Sequence, residues 1–493
     1  MDMDGESFSL LPAYRPEATV AWWRGGAVPY SHLLASIRWL AARLPEATHA
    51  FNLCEDRFLF LAGFSAVISR LQTNLLPANR LPREIHQVAK RYPDSYCLVE
   101  REIPELDLPQ VVCQLPDPLP TLDGGGRDDA PPMIPGSHLA AVPFTSGSTG
   151  VPKPNPKAWA SLIKGAGLWK ARFWEDEASE LFMVATVPPQ HMYGLETTIM
   201  LPLAAGVAIH GGRPFFPRNI REALSTLPRP VGLITTPIHL RACVEAGLDW
   251  PEVRMVVSAT APLSAALAGQ AEAAFGGPVL EIYGCTEGGT LASRRTLDGA
   301  TWRLLDGLTL HQTPSSPQSG ISAEGLGGDF GGDFGGDFGA NGAGGGDATG
   351  DVTGNASVSG GHLSTTVALQ DIIERETATT FRLVGRGSDI VNIAGKRGSL
   401  ADLNIKLRQV EGVEDGVFVM PGDGKGATTR LTALVIAPGM SVAEVMAGLE
   451  TQMDAAFLPR PIYLVEALPY NELGKLPRRE LQAWIERSNP DTP

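Results

Sequence analysis

Apolar positions in the middle of the chain come in short unbroken runs. ELFMVATVPP (180–189), PVGLITTP (230–237), VRMVVSAT (253–260) and PVLEIYG (278–284) each read as a strand buried on both faces. Between them NIREALSTL, PIHLRACVEA and LSAALAGQAEAAF carry apolar residues at helical spacing. Apolar strands alternating with amphipathic helices predict parallel sheets covered by helices, an α/β architecture. Upstream, FLFLAGFSAVI (58–68) is about half the length that crosses a bilayer and is read as a buried helix. Beyond about residue 386 the texture changes. Ser399-Leu-Ala-Asp402 and Ser441-Val-Ala-Glu444 resemble capping boxes, with VEDGVFVM and RLTALVIAP as strands between the helices they open. This predicts a separate α+β unit of roughly 105 residues, large enough to fold by itself.

Residues 313–361 break the pattern. Seventeen of these 49 residues are Gly, GGDF repeats three times over 327–338, and no Lys or Arg occurs from 304 to 374. A lone Phe every four residues buries too little surface to offset chain ordering, so the segment is expected to be a disordered insert. The nonapeptide period of a calcium β-roll is absent, and the repeat lacks the Glu of a cyclase signature. At 493 residues the chain exceeds one core. A net charge of −14 speaks against nonspecific nucleic-acid or anionic-membrane binding. Five scattered cysteines without CxxC spacing fit a reducing cytoplasm and no zinc site. The start, MDMDGESFSL, is acidic and polar, unlike a signal peptide.

The chemistry begins at 145–153, TSGSTGVPK. It is not the G-x-x-x-x-G-K-[ST] loop, since Pro152 stands where that loop has its second Gly. Gly147 and Gly150 nonetheless let backbone N–H groups converge, Thr145, Ser146, Ser148 and Thr149 add hydroxyls, and Lys153 adds a charge. Such a loop suits a polyphosphate. YGCTE (283–287) follows a strand, where ligands bind in open α/β sheets. There Tyr283 offers a flat face for a base, Thr286 a hydroxyl for phosphate, and Glu287 a hard oxygen for Mg²⁺.

Together with GRGSDIVNIAGKR (385–397) and PYNELGKLPRR (469–479), these strings resemble the core motifs of the AMP-forming adenylating superfamily of acyl- and aryl-CoA synthetases, peptide-synthetase adenylation domains and luciferases. The resemblance covers roughly residues 20–485 apart from the insert. It implies a large N-terminal domain (1–385) with a small β subdomain, a hinge at 386–388, and a small mobile C-terminal domain (389–493). It implies that 145–153 binds the β- and γ-phosphates of ATP, and that Tyr283 and Gly284 meet adenine opposite the turn Ser258, Ala259, Thr260. Thr286 would contact the α-phosphate, Glu287 would hold Mg²⁺, and Asp371 with Arg386, fifteen residues on, would grip the ribose. Lys475 would bridge carboxylate and α-phosphate, His191 would stand at the acyl pocket, and the loop around Gly395 would replace Lys475 when the C-terminal domain swings for thiol transfer. A cation at Lys475 opposes the charge that grows when a carboxylate attacks phosphorus.

Several positions depart from the family pattern. Leu369-Gln370 precedes Asp371 in place of Thr-Gly, the SATAP turn is not Gly-rich, and Asn392 stands where a lysine is common. Pocket walls are expected from His191–Gly194, Leu233, Thr235, Thr236, Ser258, Ala259 and Gly288–Thr290, mainly apolar or small, as for a compact apolar acid. NLCEDRFLFLAGFSAVISR, LLPANR and YGCTEGG, with Arg294 and Trp302, look most like ligases of aryl-polyene and xanthomonadin-type pigment clusters. That likeness implies a hydroxybenzoate-like acid loaded onto the phosphopantetheine thiol of an acyl carrier protein. A free-standing CoA ligase and a catalytically silent nucleotide-binding regulator are the alternatives.

Overall fold

The computed structural model describes residues 5–122, 130–146, 152–174, 181–312, 356–386, 390–393, 396–420, 431–471 and 476–488. Six strands run parallel at the centre of its largest sheet, in the order Val279–Cys285, Met255–Ser258, Val231–Thr235, Phe182–Ala185, Ala208–His210 and Thr19–Trp23. Antiparallel strands extend both edges: Gly26–Pro29 on one side, and on the other Gly289–Arg295, Thr301–Leu304, Thr380–Arg386 and Asp371–Arg375. The four apolar runs at 180–284 are all central strands, as their lack of alternation required. The helices between them start and stop on sequence cues. Pro217 and Pro237 open Pro217–Thr226 and Pro237–Glu245 at the first helical position. Ser264 accepts the Leu267 N–H to open Ala265–Phe275, which Gly276 closes in the left-handed conformation.

A second sheet holds the parallel strands His49–Asn52, Thr73–Leu76, Ser95–Val99, Gln110–Val112 and Leu139–Ser146, with Pro152–Pro154 turned back antiparallel on the last. The helix Arg57–Ser69 has only Ser69 outside the buried class. Its side chains share one apolar core with Trp159–Phe173 and with the first-sheet residues Met183, Ala185 and Val257. Each fully buried Leu or Phe there contributes about 1.5–3 kcal/mol. Among the described residues no helix is long and apolar enough to cross a membrane.

The C-terminal part has strands Asp415–Val419, Thr432–Ile436 and Ile462–Leu464, with helices Leu400–Arg408, Val442–Glu450 and Arg478–Ser488. Ser441 and Glu444 form the expected reciprocal cap. Leu403, Leu407, Phe418, Val435, Val445 and Leu449 pack into a core of their own. The side chain of Arg241 donates to the Glu414 carbonyl at 3.0 Å across to this part.

One boundary is corrected. The Gly-rich insert was expected to run to 361, but Ala356–Gly360 is a strand, paired in register with Leu308–Gln312 and with Val367–Ala368. Ala356 and Val358 alternate into a cluster with Leu308, Leu310 and Phe381, a period-two pattern too short to stand out beside so much glycine. Residues 313–355 lie outside the described residues. Gln312 and Ala356 are direct cross-strand partners, so a short turn can join them. Deleting 320–350 should therefore leave the melting temperature within about 2 °C, whereas extending the deletion through 360 should lower it by several degrees. Differential scanning calorimetry of the two variants measures this.

Candidate functional site

Parallel strands bring their C-terminal ends to one edge, and the segments leaving that edge carry most of the expected site residues. The strand Phe182–Ala185 leads to His191, Met255–Ser258 to the turn Ser258-Ala259-Thr260, and Val279–Cys285 to Thr286 and Glu287. The second sheet meets this edge through the hairpin Leu139–Ser146 and Pro152–Pro154, where Thr145 and Lys153 are cross-strand partners. Lys153 Nζ donates to Glu287 Oε1 at 2.9 Å, joining the expected phosphate cation to the expected metal ligand. Burial raises the Glu287 carboxyl, but the hydrogen bond and charge of Lys153, a backbone N–H and Lys157 outweigh it, and its pKa lies below the ordinary value. An ionised, partly exposed carboxylate suits Mg²⁺, which takes one or two carboxylates and completes its octahedron with water and phosphate oxygens. No cluster of three His, Cys, Asp or Glu side chains suited to a metal occurs among the described residues.

Tyr283 lies beside this pair. Its hydroxyl donates to Asp371 Oδ2 at 2.7 Å, while its ring meets Trp302 and Phe381 with centroids 5.8 and 5.5 Å away. Asp371 and Arg386 are cross-strand partners, so the two residues chosen by spacing are neighbours in the sheet. Gly284 is required by space, because a Cβ there would run into the Gly289 carbonyl. Ser258 is fully buried, with its hydroxyl unpartnered among the described residues, and Ala259 is buried beside it. Thr260 has φ +82°, a conformation that suits glycine and strains a β-branched residue. The turn that departs from a Gly-rich pattern thus keeps the glycine backbone without the glycine.

On the acid side, His191 is half-buried at the start of the short helix Met192–Leu195. The next residues are tied down. The Tyr193 hydroxyl reaches the carbonyls of Val257 at 2.9 Å and Thr235 at 3.3 Å, and burial raises its pKa well above the ordinary value, keeping it a donor. Gly194 leaves no room for a Cβ against the Pro188 carbonyl. Of the expected walls, Leu233 is instead fully buried in the helix-side core with Val231 and Leu240, and the Thr236 hydroxyl pairs with His239 Nδ1 at 2.8 Å.

Four residues near the site were not singled out by the sequence. The guanidinium of Arg57 is fully buried and donates to the carbonyls of Gly212 (2.7 Å), Val187 (2.8 Å), Ala185 (3.0 Å) and His210 (3.4 Å), fixing how two adjacent strands exit. Burial, aided by Arg213, lowers its pKa to about 9. Lys157, Glu196 and His362 are buried next to the 287–290 turn. A usable signal existed for one of them, because Glu196 is a lone charge in the long, largely apolar run between Glu180 and Arg213, where an ionised side chain must find internal partners. Gly147, Ser148, Thr149, Gly150, Ser388, Gly395 and Lys475 lie outside the described residues, and Ser146 and Arg386 are described by backbone alone.

The strain at Thr260 is testable. Thr260→Gly should raise unfolding stability by about 1 kcal/mol in a denaturant titration, relief of backbone strain outweighing the glycine's added chain entropy. A loss of stability would show that the Thr260 side chain makes up for its backbone.

Comparison with known proteins identifies the family and the fold. The family model described as AMP-binding enzyme matches residues 21–313, more than half of the chain. A 4-coumarate–CoA ligase of Rhodobacter capsulatus is 28% identical over 343 residues, 68% of this chain and 74% of that protein. Another, from Halorhodospira halophila, is 25% identical over 348 residues, 69% of this chain and 75% of that protein. The o-succinylbenzoate coenzyme A synthetase of Bacillus subtilis, solved with AMP, shares the fold at a TM-score of 0.74 and 14% identity, covering 97% of this chain and 98% of that one. The chain belongs to the family of AMP-binding enzymes and is an AMP-forming ligase that joins an acid to a thiol.

Proposed function

We propose that the chain activates a compact aryl acid, of the hydroxybenzoate kind, as its acyl-adenylate and passes the acyl group to the phosphopantetheine thiol of an acyl carrier protein. The Lys153–Glu287 and Tyr283–Asp371 pairs support the reading, since one strand, Val279–Cys285, and the turn after it supply a carboxylate paired with a cation and an aromatic ring hydrogen-bonded to a second carboxylate. The likeness of YGCTEGG and LLPANR to aryl-polyene-type ligases supports the acid and the acceptor. A second reading, transfer to CoA itself, is favoured by the likeness to the two 4-coumarate–CoA ligases.

In this mechanism Thr145 and Lys153 hold the β- and γ-phosphates, with Ser146, Gly147, Ser148, Thr149 and Gly150. Asp371 and Arg386 hold the ribose, and Ser258, Ala259 and Thr260 face Tyr283 and Gly284 across the adenine. Thr286 touches the α-phosphate, and Glu287 holds Mg²⁺, which when bound neutralises charge on the phosphate oxygens. His191 lies against the incoming acid. The carboxylate oxygen bonds to the α-phosphorus as pyrophosphate leaves, and Lys475 stabilises the charge shared between them. Domains 1–385 and 389–493 then rotate about 386–388, bringing Gly395 in for Lys475. The thiolate attacks the acyl carbon and AMP departs.

Exchange of labelled pyrophosphate into ATP, dependent on the acid, should appear across a panel of benzoates, cinnamates and short fatty acids, strongest with hydroxybenzoates, and chelating Mg²⁺ should stop it. Lys475→Ala should lower exchange by about 100-fold or more while sparing thiol transfer from supplied acyl-adenylate. Equal loss of both half-reactions would refute the rotation. Offering carrier protein and CoA in parallel decides the acceptor.

A further inference from the structure

The mechanism above leaves three buried ionisable side chains without a task. Lys157, Glu196 and His362 come from distant parts of the chain, each at least nine-tenths buried, and all reach the same four residues. Lys157 Nζ donates to the carbonyl of Glu287. His362 Nε2 donates to the carbonyl of Gly288 at 2.8 Å, and the backbone of His362 is itself held by the Ser161 hydroxyl at 2.8 Å. The Glu196 carboxylate accepts the Thr290 N–H at 3.0 and 3.1 Å and its hydroxyl at 2.8 Å. Between these anchors Gly289 takes φ +69°, and a Cβ there would run into the Glu196 carboxylate. The Gly288 N–H points back to Cys285 Sγ at 3.3 Å.

Burying such groups costs more than burying apolar residues of similar size, unless every polar atom is matched. Burial pushes both Lys157 and Glu196 toward their neutral forms, and each draws the other back. What the arrangement achieves is geometric. The turn begins at the carboxylate read as the magnesium ligand and ends at the backbone read as the acid-pocket wall. Glu196 also opens a π-helical stretch, Glu196–Ala205, directly after the His191–Gly194 segment.

We propose that Lys157, His362 and Glu196 are positioning residues that pin the 287–290 turn at separate points, so that the Glu287 end and the wall Gly288–Thr290 are each held in place by their own anchor. Lys157 sets its metal end and Glu196 its acid end. This rests on the function proposed above, because it takes Glu287 as a metal ligand and Gly288–Thr290 as a substrate contact. Changes at the two ends must then have different kinetic signatures, a split that general loss of stability does not produce.

The test uses the full chain with Lys157→Met and Glu196→Ala. In nucleotide-free protein, hydrogen exchange of peptides over 285–292 should quicken roughly tenfold in both variants, and Glu196→Gln, which keeps an oxygen facing Thr290, should recover most of the protection. In pyrophosphate exchange, Lys157→Met should raise the magnesium concentration for half-maximal rate roughly tenfold with the acid KM within about twofold; Glu196→Ala should do the reverse. Unchanged hydrogen exchange over 285–292, or equal loss of magnesium and acid binding in both variants, would overturn the proposal. Should the native chain make no AMP, the functional reading falls while the hydrogen-exchange arm still decides the lock. If either variant fails to fold, Lys157→Arg and Glu196→Asp, whose shorter side chain draws back from Thr290, carry the same comparison at smaller amplitude.

Discussion

Lys153 and Glu287 lie 134 residues apart in the chain and 2.9 Å apart in space, and the site depends on that meeting. The pair is partly exposed and stabilises the fold very little. Its importance is positional. Lys153 belongs to a hairpin that ends the second sheet, Glu287 to the turn that ends the last parallel strand of the first, and only the packed core between the sheets can hold those two ends together.

The parallel strands were readable because burial on both faces removes the polar alternation of a strand, and nothing else in a chain of this length looks like VRMVVSAT between two helices. The residues expected to contact nucleotide stood out because Tyr283, Glu287, Asp371 and Arg386 sit in short strings of fixed spacing. The short strand Ala356–Gly360 was hidden, since five residues with two inward positions carry little signal at the end of a glycine tract. The lock on the 287–290 turn was hidden for another reason. Lys157, Glu196 and His362 form no local pattern, and only the fold brings them together. Thr260 shows a third kind of limit, because a side chain gives no sign that its backbone will be held at positive φ.

Several side chains buried near these strand ends are charged or ionisable, among them Arg57, Lys157, Glu196 and His362. Arg57 satisfies strand-end carbonyls, and Glu196 and His362 satisfy the turn, so buried charge is placed where backbone leaves the sheet and would otherwise lack partners. The same groups limit how far those exits can shift. A fold that must hold two anions near each other gains from exits of fixed geometry, since misplacement by about an ångström costs orders of magnitude in rate.

In the proposed chemistry a carboxylate oxygen attacks the α-phosphorus next to Thr286, with Lys475 opposing the charge that develops there. Supplying the acid with both carboxylate oxygens replaced by a heavy isotope, and weighing the AMP released after thiol transfer, follows that bond directly. The account predicts AMP carrying one heavy oxygen atom and pyrophosphate carrying none. Unlabelled AMP, or ADP in its place, would contradict it.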